Sequence, residues 1–239
     1  MARNERAGGA RRVQGTWRWP AASLLATLGD AARGRLLGLG AIREYPAERV
    51  LMRMGDPTTF VIVLLEGIVK ATGLTSDGKE VLLAVRVGGD LVGEFAALDN
   101  RPRSSTVTTC GRVVGCVIAQ PDFLGLLRRE ESLAGAVDRT VLAKLRFANE
   151  RRVEFAGFDA YIRVARVLRE LAVAYGDTDG DRVTLGWPLT QSELASLSSV
   201  AEPTVQKALR RLRDAGIIAT GYRALTIESF ARLNAVAGP

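Results

Sequence analysis

The chain has 239 residues, 47% of them hydrophobic, with 33 Lys and Arg against 26 Asp and Glu for a net charge of +7. It holds no histidine and two cysteines, which excludes Ser-His-Asp and Cys-His catalysis, histidine-ligated zinc or haem, and an iron–sulfur cluster built on its own thiols alone. The longest apolar run, Phe60 to Leu65, is strand-sized and far below the roughly 18 residues of a membrane span; with no signal peptide apparent, a reducing cytoplasm is the expected setting.

Residues 1–20 mix Arg, Gly and Ala without periodicity and read as a basic flexible tail that carries much of the excess charge, with Trp17 and Trp19 folding back onto the body. Ala21 to Leu39 suits one or two short helices. From Ile42 to Ile118 the period becomes that of strands: Val50 to Met52, Phe60 to Leu65, Ile68 to Ala71, Val81 to Val87, Ser105 to Thr109 and Val113 to Ile118, separated by glycine-rich turns. The pattern predicts an antiparallel, jelly-roll-like β-roll.

Within it, Gly88 to Val107 reads GGDLVGEFAALDNRPRSSTV. An anion held here meets N–H groups where Gly93 and Glu94 lead into the turn at Phe95. Arg103 adds a forked, charged donor and Ser104 a hydroxyl. A carboxylate repels a phosphate, so Glu94 is assigned to a hydroxyl on the same ligand, such as a ribose 2′-OH. Phosphate and ribose together imply a nucleotide.

Phe123 to Leu127 forms a short closing helix, and Ser132 to Phe155 a long one. Its narrow apolar stripe (Val137, Val141, Leu142, Leu145, Ala148, Arg152, Phe155 or Ala156) suits pairing with the same helix of a second copy. Gly157-Phe158-Asp159 interrupts it as a hinge, and Ala160 to Tyr175 is an amphipathic helix. Gly176 to Asp181 (GDTDGD) lacks the spacing of a calcium loop and reads as a solvated connector. Thr190-Gln191-Ser192-Glu193 is a capping box opening a short helix. Glu202-Pro203-Thr204 starts another, with Val205, Ala208, Leu209 and Leu212 inward and Gln206, Lys207, Arg210, Arg211 and Arg213 outward. A two-stranded wing follows, with its turn at Gly221-Tyr222-Arg223. Two short helices and a hairpin make a winged helix-turn-helix, its second helix placed for the major groove.

The Gly93-Glu94 to Arg103-Ser104-Ser105-Thr106-Val107 cassette resembles the phosphate-binding cassette of cyclic-nucleotide-binding domains. The order of roll, long helix, hinge and winged helix-turn-helix resembles the CRP/FNR family of bacterial transcription regulators over about Leu24 to Ile227. The resemblance implies an α+β protein with a cyclic-nucleotide-binding β-roll at 21–130, a dimerisation helix at 131–157, a winged helix-turn-helix at 158–230 and a tail at 231–239. It implies a homodimer gated by a cyclic nucleotide, cyclic AMP before others, that binds a near-palindromic double-stranded operator and meets RNA polymerase. No catalytic residue, metal, resident cofactor or membrane contact is expected. Carried over by residue, Glu94 takes the ribose, Arg103 and Ser104 take the cyclic phosphate, Ala71 and Leu83 lie against base or ribose, and Asn149 faces the adenine. Thr190, Gln191 and Thr204 touch DNA phosphates, and Glu202, Pro203 and Lys207 face base edges. Gln206, Arg210 and Arg211 complete the expected DNA-binding set, the two arginines toward phosphates.

Two positions depart from the family pattern. Ala148-Asn149 stands where cyclic-AMP-responsive members place Thr followed by Ser or Asn, and Glu202-Pro203 stands where Arg-Glu is familiar. The first keeps open an alternative with the same fold, an idle pocket and ligand-independent DNA binding. The second replaces a guanine-reading arginine by a carboxylate able to accept from cytosine N4. An enzyme regulated by such a roll is disfavoured: no Walker or kinase loop set appears, and little chain remains to hold one.

Overall fold

The computed structural model describes residues 11–13, 16–185, 189–221 and 224–238. The chain divides into two compact units, residues 9–146 and residues 147–239. In the first, β1 (Arg11–Val13) and β2 (Thr16–Arg18) form a hairpin, and α1 (Leu24–Thr27) and α2 (Asp30–Gly38) follow. Then come β3 (Ala41–Tyr45), β4 (Val50–Met52), β5 (Val61–Glu66), β6 (Ile68–Leu74), β7 (Glu80–Val87) and β8 (Leu91–Val92). The short α3 (Glu94–Asp99) precedes β9 (Thr106–Thr109), β10 (Val113–Ile118) and α4 (Gln120–Arg129), and α5 (Glu131–Gly157) runs on into the second unit.

The eight strands from β3 onward make two four-stranded antiparallel sheets, ordered β3-β10-β5-β8 and β4-β9-β6-β7. The Phe60 to Leu65 run offers no polar residue for a solvent face, and the fold buries both faces of β5. Ile62 and Leu64 point into the roll with Met52, Val69, Val92, Val107 and Val113. Val61, Val63 and Leu65 point outward, under Leu24, Leu25, Leu36, Phe123 and the first turns of α5 at Leu133, Ala136 and Val137. The start of the long helix therefore packs on its own roll. Farther along, Leu142 and Leu145 are 52% and 56% exposed. Arg152, Phe155 and Ala156 of the stripe lie outside the described side chains.

In the second unit Asp159 caps α6 (Ala160–Tyr175), accepting from the amides of Tyr161 and Ile162. β11 (Asp177–Asp179), β12 (Arg182–Leu185), α7 (Gln191–Ser198), α8 (Glu202–Asp214), β13 (Ile218–Gly221), β14 (Ala224–Ile227) and α9 (Phe230–Ala237) complete it. Among the described residues no helix is long and apolar enough to cross a membrane.

The fold departs from the sequence-based expectation at three places. The GDTDGD connector is a hairpin: β11 pairs with β12, so the wing strands β13 and β14 belong to a four-stranded sheet ordered β11-β12-β14-β13. At its turn, Asp181 accepts from Ser229 Oγ at 2.6 Å and the Ala231 amide at 2.8 Å, an order that single-segment patterning does not encode. The expected tail at 231–239 forms α9, whose Leu233 and Ala237 are buried, while Arg166 Nε donates to the Ala237 carbonyl at 2.7 Å. The basic stretch 1–20 is not wholly a tail, since 11–13 and 16–18 pair and Trp19 Nε1 donates to the Leu65 carbonyl at 3.0 Å. Residues 1–10, the Trp17 side chain, and Tyr222 and Arg223 of the wing turn lie outside the described residues.

Gly89 is where the N-terminal helices meet the roll. Its amide donates to Leu64 O at 2.7 Å, its carbonyl accepts from the Leu25 amide at 3.0 Å, and its φ is +96°. A Cβ there collides with Ser23 and comes within 2.8 Å of Trp19 Cβ. Gly78 also has a positive φ (+80°), but a Cβ on it meets open space, with nothing within 4 Å. Gly89→Ala is therefore expected to cost more than the roughly 1 kcal/mol of left-handed strain that Gly78→Ala costs, with a correspondingly larger drop in melting temperature by circular dichroism. Equal drops contradict this account of the junction.

Candidate ligand site and nucleic-acid interface

The cassette is assembled by backbone geometry before any side chain takes part. Gly93 ends β8 and caps α3 with φ +85°, and a Cβ on it falls 2.6 Å from Arg103 Nη1 and 2.7 Å from Met52 Cε. Glycine is needed on both counts. The close approach lets Arg103 Nη1 donate to Gly93 O at 2.9 Å, while Nη2 donates to Phe60 O at 2.6 Å and Nε to Thr58 Oγ1 at 3.0 Å. The guanidinium also lies 4.7 Å from the Phe60 ring centroid. Three of its five N–H groups are thus engaged, all with neutral acceptors, and the residue is 4% exposed. Among the described residues no carboxylate lies within ion-pair distance of it.

Glu94, also 4% exposed, has a partner that sequence reading missed. Lys144 Nζ, from α5, donates to Glu94 Oε1 and to Leu91 O, both at 2.7 Å. Lys144 lies outside the cassette motif and fifty residues from Glu94, so no local pattern announces it. Burial pushes the ammonium below its ordinary pKa, opposed by the charge of Glu94. Burial likewise lowers Arg103, with Glu94 again opposing, and raises Asp90, whose carboxylate accepts from the Val87 amide. The site therefore contains a carboxylate paired with Lys144 and a guanidinium that hydrogen-bonds only neutral acceptors among the described residues, with the charges of Glu94 and Asp56 nearby.

The structure brings Gly93, Glu94 and Arg103 together. Ala71 sits on β6, half-buried, and Leu83, 47% exposed, is the extra residue of a bulge in β7, lying over Gly73. Phe95 is 40% exposed and Ser104 is exposed, so neither is part of the Arg103 bonding set. Asn149, in the other unit, is exposed on α5.

In the second unit the capping box forms as expected: Glu193 N donates to Thr190 Oγ1 at 3.1 Å and Thr190 N to Glu193 Oε2 at 2.8 Å. Ser199, in left-handed conformation, turns the chain between α7 and α8. Val205, Ala208, Leu209 and Leu212 are buried. Thr190, Gln191, Glu202, Pro203, Gln206, Lys207, Arg210 and Arg211 are exposed, and Thr204 is half-buried. The geometry separates the neighbouring Arg210 and Arg211, because Arg211 lies over the Tyr161 ring at 4.0 Å.

A roll of this topology with a charged cassette, joined to a winged helix-turn-helix, defines a DNA-binding regulator with a ligand module. Residues 42–130 match the cyclic nucleotide-binding domain and residues 162–236 the Crp-like helix-turn-helix domain. The chain belongs to the CRP/FNR family of transcription regulators, a family of DNA-binding proteins rather than enzymes. It is 26% identical over 190 residues to a CRP-like cAMP-activated global transcriptional regulator of Mycobacterium tuberculosis, covering 80% of this chain and 85% of the relative. It is 27% identical over 198 residues to the cyclic AMP receptor protein of Thermus thermophilus, covering 82% and 87%. The solved structure of FixK2 from Bradyrhizobium japonicum shares the fold, with a TM-score of 0.72 at 17% identity over 84% of this chain and 98% of that one.

Lys144 and Glu94 are 14% and 5% exposed at the side chain, so each depends on the other's charge. Lys144→Met is expected to cost about 3–5 kcal/mol by stranding a buried carboxylate, and adding Glu94→Gln is expected to recover most of it. Urea unfolding of both single variants and the double checks the coupling. Simple additivity contradicts it.

Proposed function

We propose that the roll binds a cyclic nucleotide, cyclic AMP before others, and that a homodimer uses this binding to set its affinity for a near-palindromic operator. The observation that carries the reading is Arg103, a buried cation whose hydrogen bonds, among the described residues, all go to neutral acceptors. Its desolvation is offset when an anion arrives. Two N–H groups remain for a phosphate, with the Ser104 hydroxyl and the Phe95 amide beside them in sequence. Glu94 retains Oε2 for a ribose hydroxyl, because Lys144 engages Oε1. The names of the Mycobacterium and Thermus relatives support the same nucleotide. In this reading Ala71 and Leu83 flank the base or ribose, and Asn149 contacts the base edge.

Leu142 and Leu145 provide the apolar seam for a second copy. The parts are the roll (21–130), the dimer helix (131–157), a hinge at Gly157-Phe158-Asp159 and the DNA-binding segment from 158, which extends through α9. Thr190, Gln191, Thr204 and Arg210 contact phosphates; Glu202, Pro203, Gln206 and Lys207 face base edges. The ligand switches the dimer by the difference in its affinity for the DNA-competent and incompetent arrangements. A regulator of this type works in the cytoplasm, where it meets the operator and RNA polymerase.

Two observations favour a second reading, in which the roll is idle. Arg103 and Glu94 already have partners within the chain, and Ala148 offers no hydrogen bond to a base. A melting shift with cyclic AMP or cyclic GMP supports the gated reading, whereas no shift with either supports the idle one.

Arg103→Lys keeps the charge and loses the fork, so calorimetry is expected to show cyclic AMP affinity reduced at least about 10-fold. Unchanged affinity refutes the phosphate assignment. Glu202→Gln removes a carboxylate from the DNA face. It is expected to tighten non-specific binding and to relax preference for cytosine at one operator position by roughly 1–3 kcal/mol. Selection from a randomised duplex library reads this directly, and an unaltered preferred sequence rules out base reading by Glu202.

A further inference from the structure

We infer that Arg211 is a positioning residue that holds the recognition helix through Tyr161, and that it does not contact DNA phosphate. Successive residues of an α-helix lie about 100° apart, so Arg210 and Arg211 cannot share one direction. Opposite the buried Val205, Ala208, Leu209 and Leu212, the outward centre of α8 is the line Pro203, Lys207, Arg210. Arg211 falls on the flank with Thr204, two turns earlier. There its Cζ lies 4.0 Å from the centroid of the Tyr161 ring, well inside the roughly 6 Å range of a cation–π contact.

Tyr161 is the second residue of α6, and its amide is fixed by the Asp159 cap at 2.8 Å. Two residues on, Arg163 Nη1 donates at 3.0 Å to the carbonyl of Ser199, the left-handed residue between α7 and α8. One turn of α6 thus grips the helix-turn-helix twice, at the turn through Arg163 and at the last part of α8 through Tyr161. A planar guanidinium stacked on a ring suits this task, and an ammonium does not replace it. The turn that does the gripping directly follows Phe158-Asp159, at the start of α6. The inference rests on DNA binding through α8 and not on the ligand of the roll.

The test compares full-length Arg211→Gln, Arg211→Lys, Tyr161→Leu, Tyr161→Leu with Arg211→Gln, and Arg210→Gln. Each is titrated against the selected operator and a scrambled duplex over a range of salt, with circular dichroism to confirm folding. Arg211→Gln and Tyr161→Leu are each expected to lower the operator-to-scrambled affinity ratio by about 3- to 10-fold, with the double variant no worse than either. Arg211→Lys is expected to lose part of the ratio despite its charge. The log-affinity against log-salt slope is expected to stay unchanged in these variants and to flatten by about 1 in Arg210→Gln. Flattening in Arg211→Gln, full rescue by Lys, or an unaffected ratio in Tyr161→Leu overturns the assignment.

Discussion

A buried guanidinium that, among the described residues, makes no ion pair with a carboxylate organises the ligand-binding end of this regulator. Arg103 joins three segments through neutral hydrogen-bond acceptors: the loop at Thr58 and Phe60, the cap of α3 at Gly93, and its own approach to β9. Backbone bonds reinforce the arrangement, the Arg103 amide donating to Asp56 O and its carbonyl accepting from Gly55 N, both at 2.9 Å. Neutral acceptors satisfy donor geometry while leaving the charge in place. A fold that retains such a cation carries a standing electrostatic preference for an anion.

The long helix takes part in the same electrostatics. Lys144 belongs to α5 but finds its acceptors at Leu91 and Glu94, on either side of Gly93. The helix that leaves the roll is therefore bonded to the residues a ligand would meet. A change in the partners of Glu94 changes what holds that stretch of α5, and no separate relay is required. Burial of Leu133, Ala136 and Val137 anchors the helix below that point, so Lys144 acts near the boundary between its packed and exposed parts.

The DNA-binding unit is held by a different kind of contact. Its recognition helix buries four aliphatic residues and leaves a basic face outside, and polar side chains of α6 reach its neighbours: Arg163 the turn, Tyr161 the Arg211 guanidinium, and Arg166 and Arg169 the end of α9. Arg166 also lies 3.7 Å from the ring of Phe158, in the segment between α5 and α6. These contacts are directional, whereas apolar packing tolerates sliding.

Much of this was legible in the chain because it depends on neighbours in sequence. The two-faced burial of β5 follows from an uninterrupted apolar run, the α7 capping box from Thr190 and Glu193, the buried face of α8 from its spacing, and the cassette from Gly93, Glu94 and Arg103 in order. Tertiary structure alone decided the rest. The pairing of β11 with β12, the order of α9, the Lys144–Glu94 ion pair and the Tyr161–Arg211 contact each join groups whose sequence spacing carries no period. A helical wheel puts Arg210 at the outward centre of α8 and Arg211 on its flank, yet only the packed chain shows the Tyr161 ring that Arg211 meets. Periodicity specifies which side of an element is buried; only the packed chain determines which distant side chain each exposed charge meets.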